Sequence, residues 1–277
     1  MRKVIITADD YGMSKSVNEA IEEGIKNSVI TSTNVMVNMP FCDDAAGFKA
    51  RFPDVSIGIH WNLTVGRPVT DHSAVKTLTD DNGAFLHPGE LMKRFRSKSV
   101  DMNEIRLELV NQLKAYRRIC GEPEYWSTHE NIHVHLGIFG LFIKTASGHG
   151  IRKMRWHNKV WAEDMHRSLS IKGNLLELLK SLVFFLWRMK AKREGMSFPD
   201  GLIVVSDSIN SLADENVSIK WGNSKIGELT IHPAKSIDSE YFGEMTGNRI
   251  DDYRSVSDTA LIENILSKYK LASYNEL

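Results

Sequence analysis

The stretch VIITADDYG, residues 4–12, decides the first element of the fold. Its apolar residues 4–6 predict a buried strand, and Asp9 and Asp10 stand where that strand should end. Side chains along a strand alternate between the two faces of the sheet, so neighbouring carboxylates diverge unless the backbone turns between them. The stretch therefore predicts a buried first strand that ends in two acids at the mouth of the core.

Short β-rich runs alternate with helical runs over most of the remaining sequence. This alternation favours parallel strands joined by right-handed crossovers, in an open doubly wound α/β sheet or an irregular, TIM-barrel-like (β/α) barrel. The glycine fingerprint of dinucleotide-binding folds does not follow the first strand. We expect one domain over residues 1–277, with strands at 3–8, 33–38, 55–63, 125–129, 151–156, 201–206 and 227–232 and helices at 14–27, 102–121, 173–195 and 255–270.

The composition limits the classes of function. The 35 Lys and Arg residues balance 35 Asp and Glu residues, which gives no electrostatic case for binding nucleic acid. Cys42 and Cys120 lack the spacing of metal ligands and are expected to be free thiols. The N-terminal apolar run is too short for a signal peptide, so we expect a cytoplasmic protein.

The longest apolar stretch covers residues 173–195. Glu177, Lys180, Arg188 and Lys190 interrupt it and leave too few consecutive apolar residues for a membrane span. We expect an amphipathic helix that packs on the body of the protein or covers a cleft. A helix that binds a membrane surface is the alternative.

Acids and histidines fall at or near the carboxyl ends of four predicted strands. Asp9 and Asp10 follow the first strand, His60 lies within the third, His129 ends the fourth and His232 ends the last. The carboxyl ends of parallel strands lie on the same side of a sheet or barrel, where α/β enzymes build their sites. We therefore expect these side chains to share one face.

A carboxylate with two imidazoles is a common ligand set for zinc or a similar divalent ion. Such an ion lowers the pKa of a bound water and polarises a carbonyl oxygen. A second carboxylate can then remove a proton from water, and an imidazole on the far side can protonate a leaving group. Adjacent acids also occur as turns or helix caps, and strand-end histidines are often structural, so the residues alone leave both interpretations open.

Five ordered motifs connect the sequence to a known family. In this order along the chain they are TADDYG (7–12), ITSTNVMVN (30–38), IGIHWNLT (57–64), STHENIHVH (127–135) and ELTIHP (228–233). With these motifs the sequence resembles the YdjC-like carbohydrate deacetylases, the family of the chitooligosaccharide deacetylases.

The resemblance implies a metal-dependent hydrolase on an irregular (β/α) barrel, which removes an acetyl group from an N-acetylated sugar such as a chitooligosaccharide. It implies that Asp10, His60 and His129 bind Mg²⁺ or Zn²⁺, that Asp9 is the general base and that His232 is the general acid. The expected partner is a small acetylated oligosaccharide, and a homodimer is left open. The alternatives are an O-deacetylase of another oligosaccharide and a non-catalytic sugar-binding homologue.

The sequence departs from the family pattern at three positions. The family segment commonly reads Asp-Ser-His-x-His-x-His, whereas this chain has Ser127 and Asn131 for the Asp and the middle His, and keeps His133. The usual His-Pro-Gly ends in Ala234 here. The departures spare the proposed ligands but alter groups around them, which can change metal affinity.

Four further residues are candidates for substrate binding. Arg155 and Asp207 lie at the ends of predicted strands and could hydrogen-bond sugar hydroxyls or the developing oxyanion, with a salt bridge at the barrel rim as the alternative. Trp61 could stack on a pyranose ring, with a place in the core as the alternative. His133 is the remaining histidine of the family segment.

Overall fold

A curled parallel sheet forms the centre of the computed structural model, which describes residues 1–135, 137–162 and 171–277. The strands are β1 Lys3–Tyr11, β2 Ser32–Val35, β3 Ser56–Trp61, β4 Trp126–Thr128, β5 Lys159–Trp161, β6 Gly201–Val204, β7 Ile226–Ile231 and β8 Lys270–Leu271. Their order in the sheet is β4-β3-β2-β1-β7-β6-β5, with β8 beside β1. Every pairing between these strands is parallel, which confirms the predicted irregular barrel type of fold.

Helices connect the strands and cover the outside of the sheet. They are α1 Lys15–Lys26, α2 Phe48–Arg51, α3 Pro88–Arg96, α4 Met102–Cys120, α5 Phe139–Gly148, α6 Ile171–Arg193, α7 Asn210–Ala213, α8 Thr246–Ser257 and α9 Thr259–Lys268. Ser14 caps α1 by accepting a hydrogen bond from the Val17 amide, as predicted. Gly121 ends α4 with a φ of 80°, a conformation that glycine adopts without strain.

Two predicted elements are wrong in detail. Residues 151–156 do not form a strand: Lys153 and Met154 make only isolated bridges, and the strand beside β6 is β5. The helix predicted over 255–270 is divided, because the Asp258 side chain accepts a hydrogen bond from the Leu261 amide and begins a new helix, α9, after α8 ends. The two-residue strand β8 was too short for the sequence pattern to reveal.

The apolar stretch 173–195 forms most of α6, as predicted. Phe184 and Trp187 pack inward against Phe139 and Trp156. In the residues that the structure describes, no helix is both long and apolar enough to cross a membrane.

Candidate metal centre

A bulge at the end of β1 places the two adjacent acids. Pairing with β2 shifts between Ala8 and Tyr11, so that Asp9 and Asp10 together face Asn34. Asp10 has a φ of 72°, the left-handed conformation that aspartate tolerates better than most residues. The Asn34 side chain accepts a hydrogen bond from the Asp10 amide at 3.4 Å and donates one to Asp9 Oδ1 at 2.7 Å. The bulge therefore turns the backbone between the two carboxylates, and Asn34 holds the turn.

Asp10, His60 and His129 come together at the carboxyl ends of β1, β3 and β4. Asp10 Oδ1 lies 3.4 Å from His60 Nε2 and 3.0 Å from His129 Nδ1. One potential ligand atom from each of the three residues lies within 4.8 Å of the other two. Asp10 and His60 are fully or almost fully buried. The geometry thus brings a carboxylate and two imidazoles to one point, as the sequence predicted.

Ser127 determines which nitrogen of His60 faces that point. Its hydroxyl pairs with His60 Nδ1 at 2.7 Å, and both side chains are buried. When the hydroxyl accepts a hydrogen bond from Nδ1–H, the lone pair of Nε2 is directed towards Asp10 and is available to a metal ion. Ser127 therefore has the orienting position next to a candidate ligand, although the family pattern commonly has Asp there.

The turn after His129 is left-handed at two successive residues. Glu130 has a φ of 52° and Asn131 a φ of 55°, and asparagine is among the residues that accept this conformation. Asn131 Oδ1 pairs with Nε2 of the buried His157 at 2.6 Å. Asn131, which stands where the family pattern commonly has a histidine, thus stabilises the turn beside the candidate ligand His129.

Arg249, which the sequence patterns did not single out, ion-pairs with Asp10. Its Nη2 lies 2.5 Å from Asp10 Oδ2, and its guanidinium stacks over the Phe242 ring at 4.8 Å. Burial by itself raises the pKa of Asp10, but His129 and Arg249 outweigh burial and hold the pKa well below its ordinary value. Asp10 is therefore ionised, with Oδ2 occupied by Arg249 and Oδ1 directed towards the two histidines.

The two imidazoles respond differently to the same environment. Burial lowers the pKa of His60. Burial also acts to lower the pKa of His129, but the neighbouring Asp10 carboxylate outweighs it and raises that pKa. A metal ion requires both rings to be neutral, so its binding would compete with a proton on His129.

Asp9 is held by a second buried arginine. Arg155 Nη1 and Nη2 donate to Asp9 Oδ2 and Oδ1 at 2.6 and 2.7 Å, and Arg155 also donates to the buried Glu228. Burial acts to raise the pKa of Asp9, but Arg155 outweighs it and the pKa lies well below its ordinary value. His232 Nε2 lies 3.8 Å from Asp9 Oδ2. The two side chains predicted as base and acid are thus close neighbours.

Three of the four candidates for substrate binding are buried. Trp61 has no exposed surface, contacts Trp126 and donates to the Leu109 carbonyl at 3.0 Å. His133 is 1% exposed and pairs with Thr128 Oγ1 at 2.6 Å. These two side chains therefore belong to the core and offer no free face to a sugar. Arg155 is 2% exposed. It forms a salt bridge with Asp9 within the barrel, the alternative to sugar binding that the sequence left open.

Asp207 lines a cavity that His232 also lines. The cavity has a volume of about 390 Å³, and its lining includes Asp207, Asn248, Asp252 and His232. Asp252 Oδ2 accepts a hydrogen bond from the His232 amide at 2.7 Å. Asp207 is exposed. The space next to His232 thus has both polar and apolar walls, and its polar side chains can bind a small hydrophilic ligand.

Comparisons with known proteins match most of this chain to one family. A family model described as "YdjC-like protein" matches residues 3–266. A carbohydrate deacetylase of Clostridium beijerinckii is 34% identical over 149 residues, which are 54% of this chain and 58% of that protein. A chitooligosaccharide deacetylase of Yersinia pestis is 34% identical over 140 residues, which are 50% of this chain and 53% of that protein. The chain thus spans somewhat more than half the length of these curated relatives.

A solved structure extends the likeness over the whole fold. The crystal structure of an Enterococcus faecalis protein, provisionally named a cellobiose-phosphate cleavage protein, superimposes with a TM-score of 0.73. The match covers 99% of this chain and 98% of that chain at 21% sequence identity. At this identity the likeness shows a common fold.

Proposed function

This chain belongs to the YdjC-like protein family, and from that premise we propose that it is a metal-dependent deacetylase of N-acetylated sugars. The observation that carries the proposal is the convergence of Asp10, His60 and His129, whose ligand atoms lie within 4.8 Å of one another. Asp9 precedes Asp10 in the chain, and His232 Nε2 lies 3.8 Å from Asp9 Oδ2. The proposed products are acetate and a sugar amine.

The donor set fits a divalent cation. Asp10 Oδ1, His60 Nε2 and His129 Nδ1 can each supply one bond, and three protein ligands leave a position open in a catalytic site. Two imidazole nitrogens favour Zn²⁺, whereas Mg²⁺ prefers oxygen ligands and near-octahedral geometry. We propose Zn²⁺ as the first candidate and Mg²⁺ as the second.

Asp9 and His232 would carry out the proton transfers. When bound, a divalent cation supplies Lewis-acid polarisation of the acetamide carbonyl and lowers the pKa of water. Asp9 would accept the proton of the attacking water at Oδ2, the oxygen nearer His232. His232 Nε2 would donate a proton to the departing amine. Arg155 and Asn34 would fix the direction of the Asp9 carboxylate.

The named relatives and the cavity support the choice of substrate. The relatives include a chitooligosaccharide deacetylase, and we propose the same substrate class for this chain. The cavity next to His232 would receive the sugar that carries the departing amine. Hydroxyl groups of a pyranose ring would find hydrogen-bonding partners in Asp207 and Asn248 there.

Acetate release tests the proposal. Purified protein is stripped of metal with a chelator, reloaded with Zn²⁺ or Mg²⁺, and incubated with N,N′-diacetylchitobiose. We expect release of acetate only after reloading, and release slowed by about 10² to 10⁴ in an Asp9→Asn variant. An O-acetylated oligosaccharide runs in parallel, and acetate released from it alone would replace the proposal with an O-deacetylase. No acetate from either substrate at full metal occupancy would favour a non-catalytic sugar-binding protein.

A further inference from the structure

Four large apolar side chains on the outer face of α6 are exposed to solvent. Leu182, Phe185, Leu186 and Met189 have exposed fractions of 54%, 57%, 54% and 41%. Apolar residues scattered singly over a surface need no explanation, but a contiguous exposed patch marks an interaction site. We call these four side chains the α6 stripe.

The spacing of the α6 stripe places its members on one side of the helix. Counted from Leu182, the others follow at three, four and seven residues, which is the spacing of one helical face. The opposite face packs inward, because Phe184 and Trp187 contact the core and Ala191 is fully buried. The opposite face therefore holds the helix to the protein, and the α6 stripe does not contribute to that packing.

Positive charges flank the α6 stripe at its carboxyl end. Lys190, Lys192 and Arg193 are exposed, and by helical spacing Arg193 continues the stripe while the two lysines lie on either side of it. Arg188, half-buried, stacks over the Phe198 ring at 4.8 Å. The sequence of residues 181–193 contains these four cations and no acid. An apolar stripe bordered by cations is the surface of helices that lie in the interface of a membrane.

We propose that the α6 stripe binds the surface of an anionic lipid bilayer, with the helix parallel to the membrane plane. The apolar side chains would enter the boundary between head groups and acyl chains, and the cations would contact lipid phosphates. If a second copy of this chain bound through the same stripe, its residues 181–193 would bring the same four cations and no acid, and the two helices would repel each other. The charge therefore favours an anionic membrane surface over a second copy. Binding of the α6 stripe to a bilayer would require neither the metal centre nor the deacetylase activity.

Vesicle binding tests the proposal on the whole protein. Sedimentation is measured with phosphatidylcholine vesicles and with vesicles that also contain phosphatidylglycerol. We expect binding to the anionic vesicles and little to the neutral ones. The double variant Leu182→Ser, Phe185→Ser should bind at least about ten-fold more weakly. Leu266→Ser, which changes a 42% exposed apolar residue of α9, is the matched control and should bind like the wild type.

The charge is tested separately from the apolar stripe. The double variant Lys190→Gln, Lys192→Gln should bind about 25-fold more weakly, because each cation near an anionic surface contributes roughly a five-fold gain. Circular dichroism and thermal unfolding establish that each variant is folded. Failure of the wild type to sediment with anionic vesicles would overturn the proposal. A dimer in light scattering that the Leu182→Ser, Phe185→Ser variant loses would also overturn it, by assigning the stripe to a second copy.

Discussion

Asp9 and Asp10 are consecutive in the chain, yet each carboxylate pairs with a different buried arginine. Arg155 holds Asp9 through two hydrogen bonds, and Arg249 holds Oδ2 of Asp10. A regular strand would direct the two side chains to opposite faces, but the bulge at the end of β1 turns the backbone between them, so that both residues bond Asn34. Both acids are therefore ionised while facing different neighbours, and their roles can be separated by mutation.

The first prediction concerns Asp9. The Asp9→Asn variant should bind metal like the wild type and lose about 10² to 10⁴ in kcat, since a positioned general base contributes that much. Metal content and acetate release are measured on the same preparation. Turnover at the wild-type rate would remove Asp9 from the base role.

The second prediction concerns the histidines. His60→Ala and His129→Ala should each lose bound metal and activity and keep the circular dichroism spectrum of the wild type. A catalytic site with three protein ligands has no spare ligand to replace either ring. His87→Ala, at an exposed position, is the control and should retain metal. Full metal occupancy in either site variant would show that the ligand assignment is incorrect.

The third prediction concerns Ser127. Ser127→Ala removes the hydroxyl that pairs with His60 Nδ1 at 2.7 Å. The metal dissociation constant should rise by about 10- to 100-fold, as is typical when the partner of a ligating histidine is lost. Competition with a chromophoric chelator measures the constant. An unchanged value would mean that Ser127 does not orient His60.

The fourth prediction concerns stability at acid pH. Burial lowers the pKa of His157 to about 3 and holds that of His133 well below its ordinary value. Below pH of about 6.5 the unfolded chain binds protons that these folded residues do not, so the free energy of unfolding should fall as the pH drops. For His157 the loss amounts to about 2 kcal/mol between pH 7.5 and 5.

Urea unfolding at the two pH values measures this loss. His157→Gln keeps a donor for Asn131 and removes the titrating ring, so its free energy of unfolding should depend less on pH than that of the wild type. His87→Gln is the control at an exposed position. Equal pH dependence in the wild type and His157→Gln would contradict the prediction.

The strand topology predicted that the acids and histidines at the strand ends would share one face, and the family resemblance singled out Asp10, His60 and His129 among them. Parallel strands bring their carboxyl ends to one edge, so a residue at the end of each strand has a predictable position. No such rule covers Arg249, which lies on α8 far along the chain. Arginine occurs on most helix surfaces, and only the packing of α8 against the sheet reveals which one reaches Asp10.

The sequence predicted which end of the sheet a side chain lies at better than it predicted whether that side chain is buried. Trp61 directly follows His60, and strand alternation turns it to the opposite face, where it contacts Trp126 in the core. The strand expected at 151–156 placed Arg155 near the site, but its partner Asp9 depends on the bulge in β1. A bulge inserts one residue and leaves no clear signature in a single sequence.

The central claim is that Asp10, His60 and His129 bind one divalent cation. Anomalous X-ray diffraction from crystals grown with Zn²⁺ tests it most directly. We predict one strong peak within bonding distance of Asp10 Oδ1, His60 Nε2 and His129 Nδ1. A zinc-loaded crystal with no peak between these three atoms, or with its peak on other side chains, would contradict the account.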